Sequence, residues 1–363
     1  MANYTDSCWH AFQTSYIKKS DGLFNVAPCC RAKHVGYTDK IENIKNLPEI
    51  KKFGLKWLEG KKPQECESCF TKEKAGVESK RQRSIQWFDH YPIDIDANGH
   101  VNHNLRDWDL RPENTCNLKC LMCNPGLSSK WNEDIDLYTK YFKSAPELGQ
   151  GFDWDYVYEN TKDFASRIYI AGGEPFYMKK AIKFLDRLST HEYNRKNTSI
   201  IIQTNGTILH KNLYNILKRF RVFLFSMSVD GVGEVDNLIR YPGNFDEKYK
   251  IFNKYKQISY KPPAISLTVQ ALNLPDCDNI RKTFPDSHIS ANLLTGPSIL
   301  SINALKPKIV KRVQKKTRFS EIRQYCKLYN YREDLNFKMQ EYLLDMDKKR
   351  GTNSKKVLPW CFV

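Results

Sequence analysis

Residues 111–123 read RPENTCNLKCLMC, which places Cys116, Cys120 and Cys123 in a CxxxCxxC spacing. A strand-like run, roughly DWDLRPEN, leads up to Cys116. Three thiolates this close in sequence can hold three irons of a four-iron cube and leave the fourth iron without a protein ligand. A chelating molecule can bind at that fourth iron. A structural zinc site or an unrelated iron–sulfur site would use the same residue type, so the triplet alone leaves these alternatives open.

Length and composition predict more than one folding unit. The chain has 363 residues, of which 40% are hydrophobic, enough for one large α/β domain and a smaller unit. No apolar run approaches the ~18 residues of a membrane helix, so we expect a soluble, cytoplasmic protein without membrane contact. Cytosolic thiols stay reduced, and the 11 cysteines therefore indicate metal binding or catalysis rather than disulfides.

The charge is strongly positive, with 58 Lys and Arg against 41 Asp and Glu and a net charge of +17. Such a balance often accompanies an anionic partner. Lys, Asn, Ile and Tyr are all abundant, and an A+T-rich genome would produce the same composition without selection for binding. The charge therefore suggests a partner without identifying it.

Short apolar strands alternate with helix-like segments from RIYIAGGEP at residue 167 through SHISANLL. This alternation predicts an α/β fold with parallel strands. Together with the strand before Cys116, it gives about six βα units, which favours a partial (β/α)6 barrel over a closed eight-stranded barrel. Functional loops follow the carboxyl ends of such strands, so we expect the site residues to meet at one mouth.

Three domains are predicted. Residues 1–95, where Gly, Pro and Cys separate short strands, resemble a small metal-supported domain. Residues 105–300 form the barrel, with an aromatic and acidic insertion at 130–165, and residues 301–363 form a helical carboxyl-terminal extension.

The CxxxCxxC segment resembles the signature of the radical S-adenosylmethionine (SAM) superfamily, and the resemblance covers about residues 107–297. It implies that SAM chelates the open iron of a [4Fe–4S] cluster and that one electron cleaves SAM to a 5′-deoxyadenosyl radical, which abstracts a substrate hydrogen. It also implies a reductant such as flavodoxin or ferredoxin. Met122 stands where the family usually has an aromatic residue.

The segment AGGEP, at residues 171–175, resembles the GGE motif of the same family. In this resemblance Gly172 and Gly173 allow close approach of the backbone. The carboxylate of Glu174 would pair with the ammonium of SAM.

Later motifs extend the resemblance. Ser228 and Asp230, in SVDG, lie two apart and therefore on one face of a strand, where they would bond the ribose hydroxyls. Arg240 matches an arginine that pairs with the SAM carboxylate in many relatives. Asn205, in QTNGT, and Gln270 occupy other strand ends. Each residue alone is more often a turn or surface residue, and their order and spacing carry the interpretation.

The first cysteines resemble the auxiliary-cluster region called SPASM, or its shorter form called twitch, through SDGLFNVAPCC and ECESC. The resemblance implies a second [4Fe–4S] cluster. Its ligands would be Cys8, Cys29, Cys66 and Cys69, with Cys30 as the alternative to Cys29. Two features depart from the pattern, because the spacing from Gly22 to Cys29 is long and the region precedes the barrel. A zinc ribbon is the alternative.

The overall resemblance is to phage-type radical SAM proteins with a twitch domain, and it predicts modification of a peptide or protein. RNA, a nucleotide or a small molecule is the alternative substrate, motivated by the charge and by KPKIVKRVQKKTR. A non-catalytic iron–sulfur protein that binds SAM is the non-enzymatic alternative. Cys277, Cys326 and Cys361 are interpreted as ordinary thiols, although Cys361 would reach a cluster if the tail folds back.

Overall fold

A computed structural model describes residues 8–20, 23–74, 76–88, 91, 93–142 and 152–363. Gly22, used in the auxiliary-cluster comparison, and part of the 130–165 insertion lie outside these ranges. The chain divides into two compact units. The first comprises residues 1–113, 147–202 and 212–223, and the second comprises residues 114–146, 203–211 and 224–363.

The described residues form the following strands: β1 (Thr14–Ser20), β2 (Leu23–Ala27), β3 (Gly36–Thr38), β4 (Asp107–Arg111), β5 (Arg167–Ile170), β6 (Ser199–Thr204), β7 (Val222–Ser228), β8 (Ala264–Val269) and β9 (Ile289–Leu293).

They also form the following helices: α1 (His10–Gln13), α2 (Pro48–Leu58), α3 (Glu67–Lys74), α4 (Lys80–Phe88), α5 (Ile135–Tyr141), α6 (Trp154–Glu159), α7 (Lys179–Thr190), α8 (Glu192–Asn197), α9 (Lys211–Leu217), α10 (Glu234–Ile239), α11 (Phe245–Ile258), α12 (Cys277–Thr283), α13 (Pro307–Lys316), α14 (Ser320–Lys327), α15 (Glu333–Arg350) and α16 (Ser354–Val357). Within the described ranges, none of these helices combines the length and apolar character needed to cross a membrane.

The first unit contains the strand order β3-β2-β1-β4-β5-β6. Strand β1 pairs antiparallel with β2 and parallel with β4, so that Thr14 lies beside Asp107 and Lys18 beside Arg111. Strands β4, β5 and β6 are parallel to one another. The amino-terminal hairpin therefore continues the parallel strands of this unit, a pairing that the sequence did not predict.

The second unit contains the parallel strands β7, β8 and β9. With β4 to β6 in the first unit, they make up the six parallel strands predicted from the sequence. Helices α13 to α16 follow β9 without a further strand. The partial (β/α)6 fold class with a helical carboxyl-terminal region is confirmed, whereas the three domain boundaries stay a prediction.

The burial of alternate strand residues explains why these segments form a sheet. In β8, Ile265, Leu267 and Val269 are fully buried, and the residues between them are half-buried. Strand β6 shows the same alternation. A period of two places the buried residues on one face. The half-buried face of β8 carries Ser266 and Thr268, so polar side chains lie on that face.

A buried charge network joins the start of β4 to its neighbours in the first unit. Both oxygens of Asp107, which is fully buried, accept from Arg167, at 2.7 Å from Nε and 2.7 Å from Nη2. The hydroxyl of Thr14 donates to Oδ2 at 2.7 Å. His10 Nδ1 lies 3.2 Å from the same oxygen, and burial lowers the pKa of His10 to about 4. The network is thus a charged pair supported by a neutral histidine.

We predict that Asp107→Asn destabilises the protein by about 3–5 kcal/mol, because it leaves the Arg167 guanidinium mostly buried without its carboxylate. Urea denaturation followed by circular dichroism measures the change. The matched control is Asp155→Asn, which removes the partner of Arg187 in an ion pair where Asp155 is 88% exposed. This control should change stability by less than about 0.5 kcal/mol. Equal losses of stability in the two variants would contradict a stabilising role for the buried Asp107–Arg167 pair.

Candidate functional site

The cysteine loop lies in the second unit, where backbone bonds hold it on the segment after α10. The amide of Lys119 donates to the carbonyl of Tyr241 at 2.7 Å, and that of Leu121 donates to Ile239 at 2.8 Å. The hydroxyl of Tyr342, from α15, donates to the carbonyl of Leu121 at 2.8 Å. The backbone on either side of Cys120 is therefore held by hydrogen bonds. These bonds hold the Cys120 side chain in position.

The three thiols of the triplet are electrostatic neighbours. Cys120 is buried, and Cys116 and Cys123 are half-buried. Burial raises the pKa of Cys123, and the thiols of Cys120 and Cys116 raise it further. The Cys123 thiol would therefore be neutral without a metal and would lose its proton when it binds iron.

A buried ion pair stands beside this triplet. Arg240 Nη2 lies 2.6 Å from Asp230 Oδ2, and Arg240 Nη1 approaches Cys120 Sγ at 3.9 Å. The other carboxylate oxygen, Oδ1, accepts from the amide of Thr268 in β8 at 2.8 Å. Burial disfavours the charge on Arg240, but Asp230 and Cys120 outweigh it and raise the pKa of the guanidinium. Asp230 and Arg240, predicted as separate SAM contacts, are therefore bonded to each other.

Gln270 follows β8 and is fully buried. Neither Oε1 nor Nε2 of its side chain has a hydrogen-bond partner among the described residues. Arg240 Nε is likewise buried without one. A buried polar group normally has a partner, because leaving it unpaired costs free energy. These atoms fit a polar ligand that supplies both donors and acceptors, as SAM does.

Ser228 and Asn205 lie at the ends of the preceding strands. Ser228 Oγ accepts from Gln203 Nε2 at 2.7 Å. Asn205 Nδ2 donates to Asn117 Oδ1 at 2.8 Å and lies 4.0 Å from Cys116 Sγ. Asn205 thus contacts the cysteine loop directly. Among the predicted residues of the second unit, Asn205, Asp230 and Arg240 are joined by contacts to one another or to the triplet.

The GGE segment, residues 172–174, belongs to the first unit. Gly172 has φ 88°, and a Cβ there would lie 3.4 Å from the carbonyl oxygen of Glu113. Glycine is therefore favoured by the positive φ, whereas a Cβ would make an ordinary contact there. Glu174 is fully buried, and its Oε1 accepts from the amide of Phe176 at 3.1 Å.

The four candidate cysteines of the auxiliary site are buried in the first unit. Burial raises the pKa of Cys66, and three neighbouring thiols raise it further. These neighbours are Cys8, Cys29 and Cys69. Cys8 and Cys66 also share one apolar cluster with Phe53 and Trp57. The structure thus groups all four thiols, although 61 residues separate Cys8 from Cys69.

Cys29 and Cys30 differ in their surroundings. Cys29 is buried, and burial followed by the charge of neighbouring thiols raises its pKa to about 12, against the influence of Lys80. Cys30 is exposed, and its sulfur accepts from Lys80 Nζ at 3.2 Å. The geometry favours Cys29 over Cys30 as the fourth ligand.

Among the described residues, no group of three or more His, Cys, Asp or Glu side chains is already arranged to hold a metal ion. A four-iron cube binds each thiolate through a different iron, so its ligands stand farther apart than those around one ion. The two sets of neighbouring thiols are chemically suited to such cubes.

The sequence did not identify the groups that hold the triplet from the carboxyl-terminal region. Tyr342 bonds a backbone carbonyl, for which no motif exists. Cys361 folds back onto the second unit, with Sγ 3.7 Å from the carbonyl of Ala271, directly after Gln270. Its sulfur therefore contacts the backbone beside Gln270.

We predict that Gln270→Met stabilises the apoprotein and weakens SAM binding, each by about 1–3 kcal/mol, because it replaces an unpaired buried amide with an apolar side chain of similar length. Thermal unfolding without SAM and calorimetric titration with SAM measure the two effects. Gln340→Met, which removes a donor to the Cys361 carbonyl, is the control and should destabilise the apoprotein. Unchanged SAM affinity in Gln270→Met would exclude Gln270 from the site.

Comparisons with known proteins agree with this geometry. Residues 111–278 match the Radical SAM superfamily. An uncharacterized protein of Methanocaldococcus jannaschii is 26% identical over 227 residues, which cover 61% of this chain and 69% of that protein. The GTP 3′,8-cyclase of Thermodesulfovibrio yellowstonii is 27% identical over 161 residues, 42% of this chain and 44% of the cyclase.

Two similar solved structures are anSMEcpe with bound AdoMet and Streptococcus suis SuiB bound to the precursor peptide SuiA. The first has a TM-score of 0.40 at 21% identity and covers 56% of this chain and 57% of its own. The second has a TM-score of 0.36 at 15% identity and covers 69% of this chain and 49% of its own. The chain spans less than two thirds of the cyclase and of both structures. On the match over residues 111–278, this chain contains a domain of the radical SAM superfamily.

Proposed function

We propose that this protein reductively cleaves SAM and uses the resulting 5′-deoxyadenosyl radical to abstract hydrogen from a peptide or protein side chain. The observation that carries the proposal is the meeting of the cysteine triplet with the Arg240–Asp230 pair in the second unit. When bound, the [4Fe–4S] cluster and SAM supply one electron and the primary radical. The chain's own residues bind and orient SAM for that chemistry.

The proposed roles follow from charge and burial. Cys116, Cys120 and Cys123 would hold three irons. Arg240, kept charged by Asp230, would present its guanidinium to the SAM carboxylate. Gln270 would pair its amide with polar atoms of SAM that need both a donor and an acceptor.

A second group of residues carries proposed roles from the family resemblance. Glu174 would pair with the SAM ammonium, with Gly172 and Gly173 shaping its turn. Ser228 and Asn205 would complete the polar lining. Ser228 is the last residue of β7, and the other four residues lie in the loops that follow β5 and β6.

The substrate class rests on the auxiliary cysteines. Cys8, Cys29, Cys66 and Cys69 are proposed to bind a second [4Fe–4S] cluster, and many relatives with such clusters act on peptides. A cluster near the substrate can accept the electron that a substrate radical must lose to become a closed-shell product. This supports crosslinks or oxidised side chains as products. Reductant is proposed to come from flavodoxin or ferredoxin.

RNA or a nucleotide is the second candidate substrate, and the basic face of α13 favours it. Exposed cations occupy that face, opposite the buried Ile309, Val310 and Val313. They are Lys308, Lys311, Arg312, Lys315 and Lys316. Phosphates would bind such a face without sequence specificity.

We predict that anaerobic reconstitution gives about eight irons per chain and that the reduced protein forms 5′-deoxyadenosine. Cys116→Ala, Cys120→Ala and Cys123→Ala together should remove about half of the iron and all of the 5′-deoxyadenosine, because they remove the ligands of one cluster. Iron analysis measures the iron content, and chromatography measures the 5′-deoxyadenosine. Cys326→Ala, at a buried thiol outside both sets, is the control and should retain both.

Different outcomes would contradict different parts of this proposal. One zinc per chain beside a single cluster would exclude the auxiliary iron–sulfur site. Methylthioadenosine, or no cleavage under strong reductant, would exclude the adenosyl-radical mechanism. Intact SAM with both clusters assembled would favour the non-catalytic alternative.

We predict only weak, non-stimulating binding of tRNA, since the auxiliary thiols favour a peptide. Binding measured at two salt concentrations tests this, because contact with even two phosphates would lower affinity about tenfold for a fourfold rise in salt. A variant with Glu at positions 311, 312, 315 and 316 reports on the α13 face. Tight binding that is lost in this variant, with 5′-deoxyadenosine formation stimulated by tRNA, would establish the RNA alternative.

A further inference from the structure

Lys80 begins helix α4 in the first unit and lies between a buried carboxylate and Cys30, the residue next to the auxiliary ligand candidate Cys29. Its Nζ is 3.2 Å from Cys30 Sγ and 3.6 Å from Asp109 Oδ2. The Lys80 side chain is 16% exposed and that of Asp109 is 1% exposed. The ammonium is therefore placed where solvent screens it only partly.

The carboxylate of Asp109 does not fully neutralise the charge of Lys80, because it also binds Arg111. Arg111 Nε donates to Asp109 Oδ1 at 2.8 Å, closer than Lys80 approaches Oδ2. Lys80 and Arg111 thus share one negative charge. Within this group of three residues, one positive charge is left over.

The next residue, Arg81, is a cation whose charge is balanced by a carboxylate. Arg81 donates to both oxygens of Glu73, at 3.0 Å and 2.9 Å. It also interacts electrostatically with Cys8 and Cys69. Arg81 therefore acts on Cys8 and Cys69 as part of a neutral pair, whereas Lys80 acts on Cys29 and Cys30 with excess charge.

Excess charge in a poorly solvated place is costly unless an anion balances it. Besides Asp109, the groups that favour the charged form of Lys80 include the sulfur atoms of Cys30 and Cys29. Burial opposes ionisation of Lys80, but Cys30, Asp109 and Cys29 outweigh it and raise the pKa of the ammonium. Lys80 therefore stays charged beside the sulfur atoms.

We propose that Lys80 is a positioning residue that raises the reduction potential of the auxiliary [4Fe–4S] cluster bound by Cys8, Cys29, Cys66 and Cys69. The inference rests on the auxiliary cluster of the proposed function. Reduction adds one electron to the cluster and makes it more negative by one charge, while no bond forms and no proton moves. A fixed ammonium stabilises the more negative form. In turnover the substrate radical would donate the electron to this cluster and lose a proton to water or a base, which gives the closed-shell product.

Redox titration of the full-length chain, followed by the electron paramagnetic resonance signal of the reduced auxiliary cluster, tests the inference. The triple Ala variant of the triplet cysteines serves as background, so that one cluster contributes the signal. Lys80→Met and Lys80→Gln should each shift the reduction equilibrium at least tenfold toward the oxidised cluster, about 59 mV in potential. Lys80→Arg should retain the potential because it keeps the charge.

The matched control is Glu73→Gln combined with Arg81→Gln, which removes a neutral pair near the auxiliary thiols Cys8 and Cys69 and should leave the potential unchanged. Equal potentials for the background, Lys80→Met and Lys80→Gln would overturn the inference. An equal shift in Lys80→Arg would assign the effect to packing and also overturn it. If the background binds no second cluster, the proposed function fails as well, and this outcome is distinguished by the iron content.

Discussion

The buried ion pair of Arg240 and Asp230 is the constraint on which the candidate site of the second unit depends. Two ions removed from water require close and complete pairing, since each loses several kcal/mol of solvation. Asp230 meets this requirement by accepting the amide of Thr268 as well as the guanidinium. The end of β8, the loop after β7 and the segment after α10 are thereby held together, and the cysteine loop is bonded to that last segment.

Local patterns carried enough information to predict the parallel strands and the triplet. Alternating buried residues in β6 and β8 indicate strands because their period is set by the backbone itself. The pairing of β1 with β4 could not be predicted, because it depends on Asp107, Arg167 and Thr14, which are far apart in sequence. Polar residues on a strand face gave no indication of which partner each would find.

The site residues also divide into those that a local sequence pattern predicts and those that depend on the fold. Cys116, Cys120 and Cys123 were predictable because metal ligands recur at fixed spacing. The difference in burial that supports the predicted ligand Cys29 over Cys30 could not be foreseen, because the fold decides which of two adjacent cysteines is buried. The bond between Arg240 and Asp230 was also unforeseen, since resemblance assigned each residue a ligand atom and said nothing of their contact with each other.

The contact between Tyr342 and Leu121 bears on the order of events during synthesis. These residues are 221 positions apart, and the bond between them closes across most of the second unit. A ribosome releases Leu121 long before Tyr342, so the cysteine loop emerges without one of its anchors. Such long-range closure is also slow relative to local helix formation. Iron delivered to the nascent chain would therefore meet a loosely held triplet, and the fully anchored site would form only after α15 has been made.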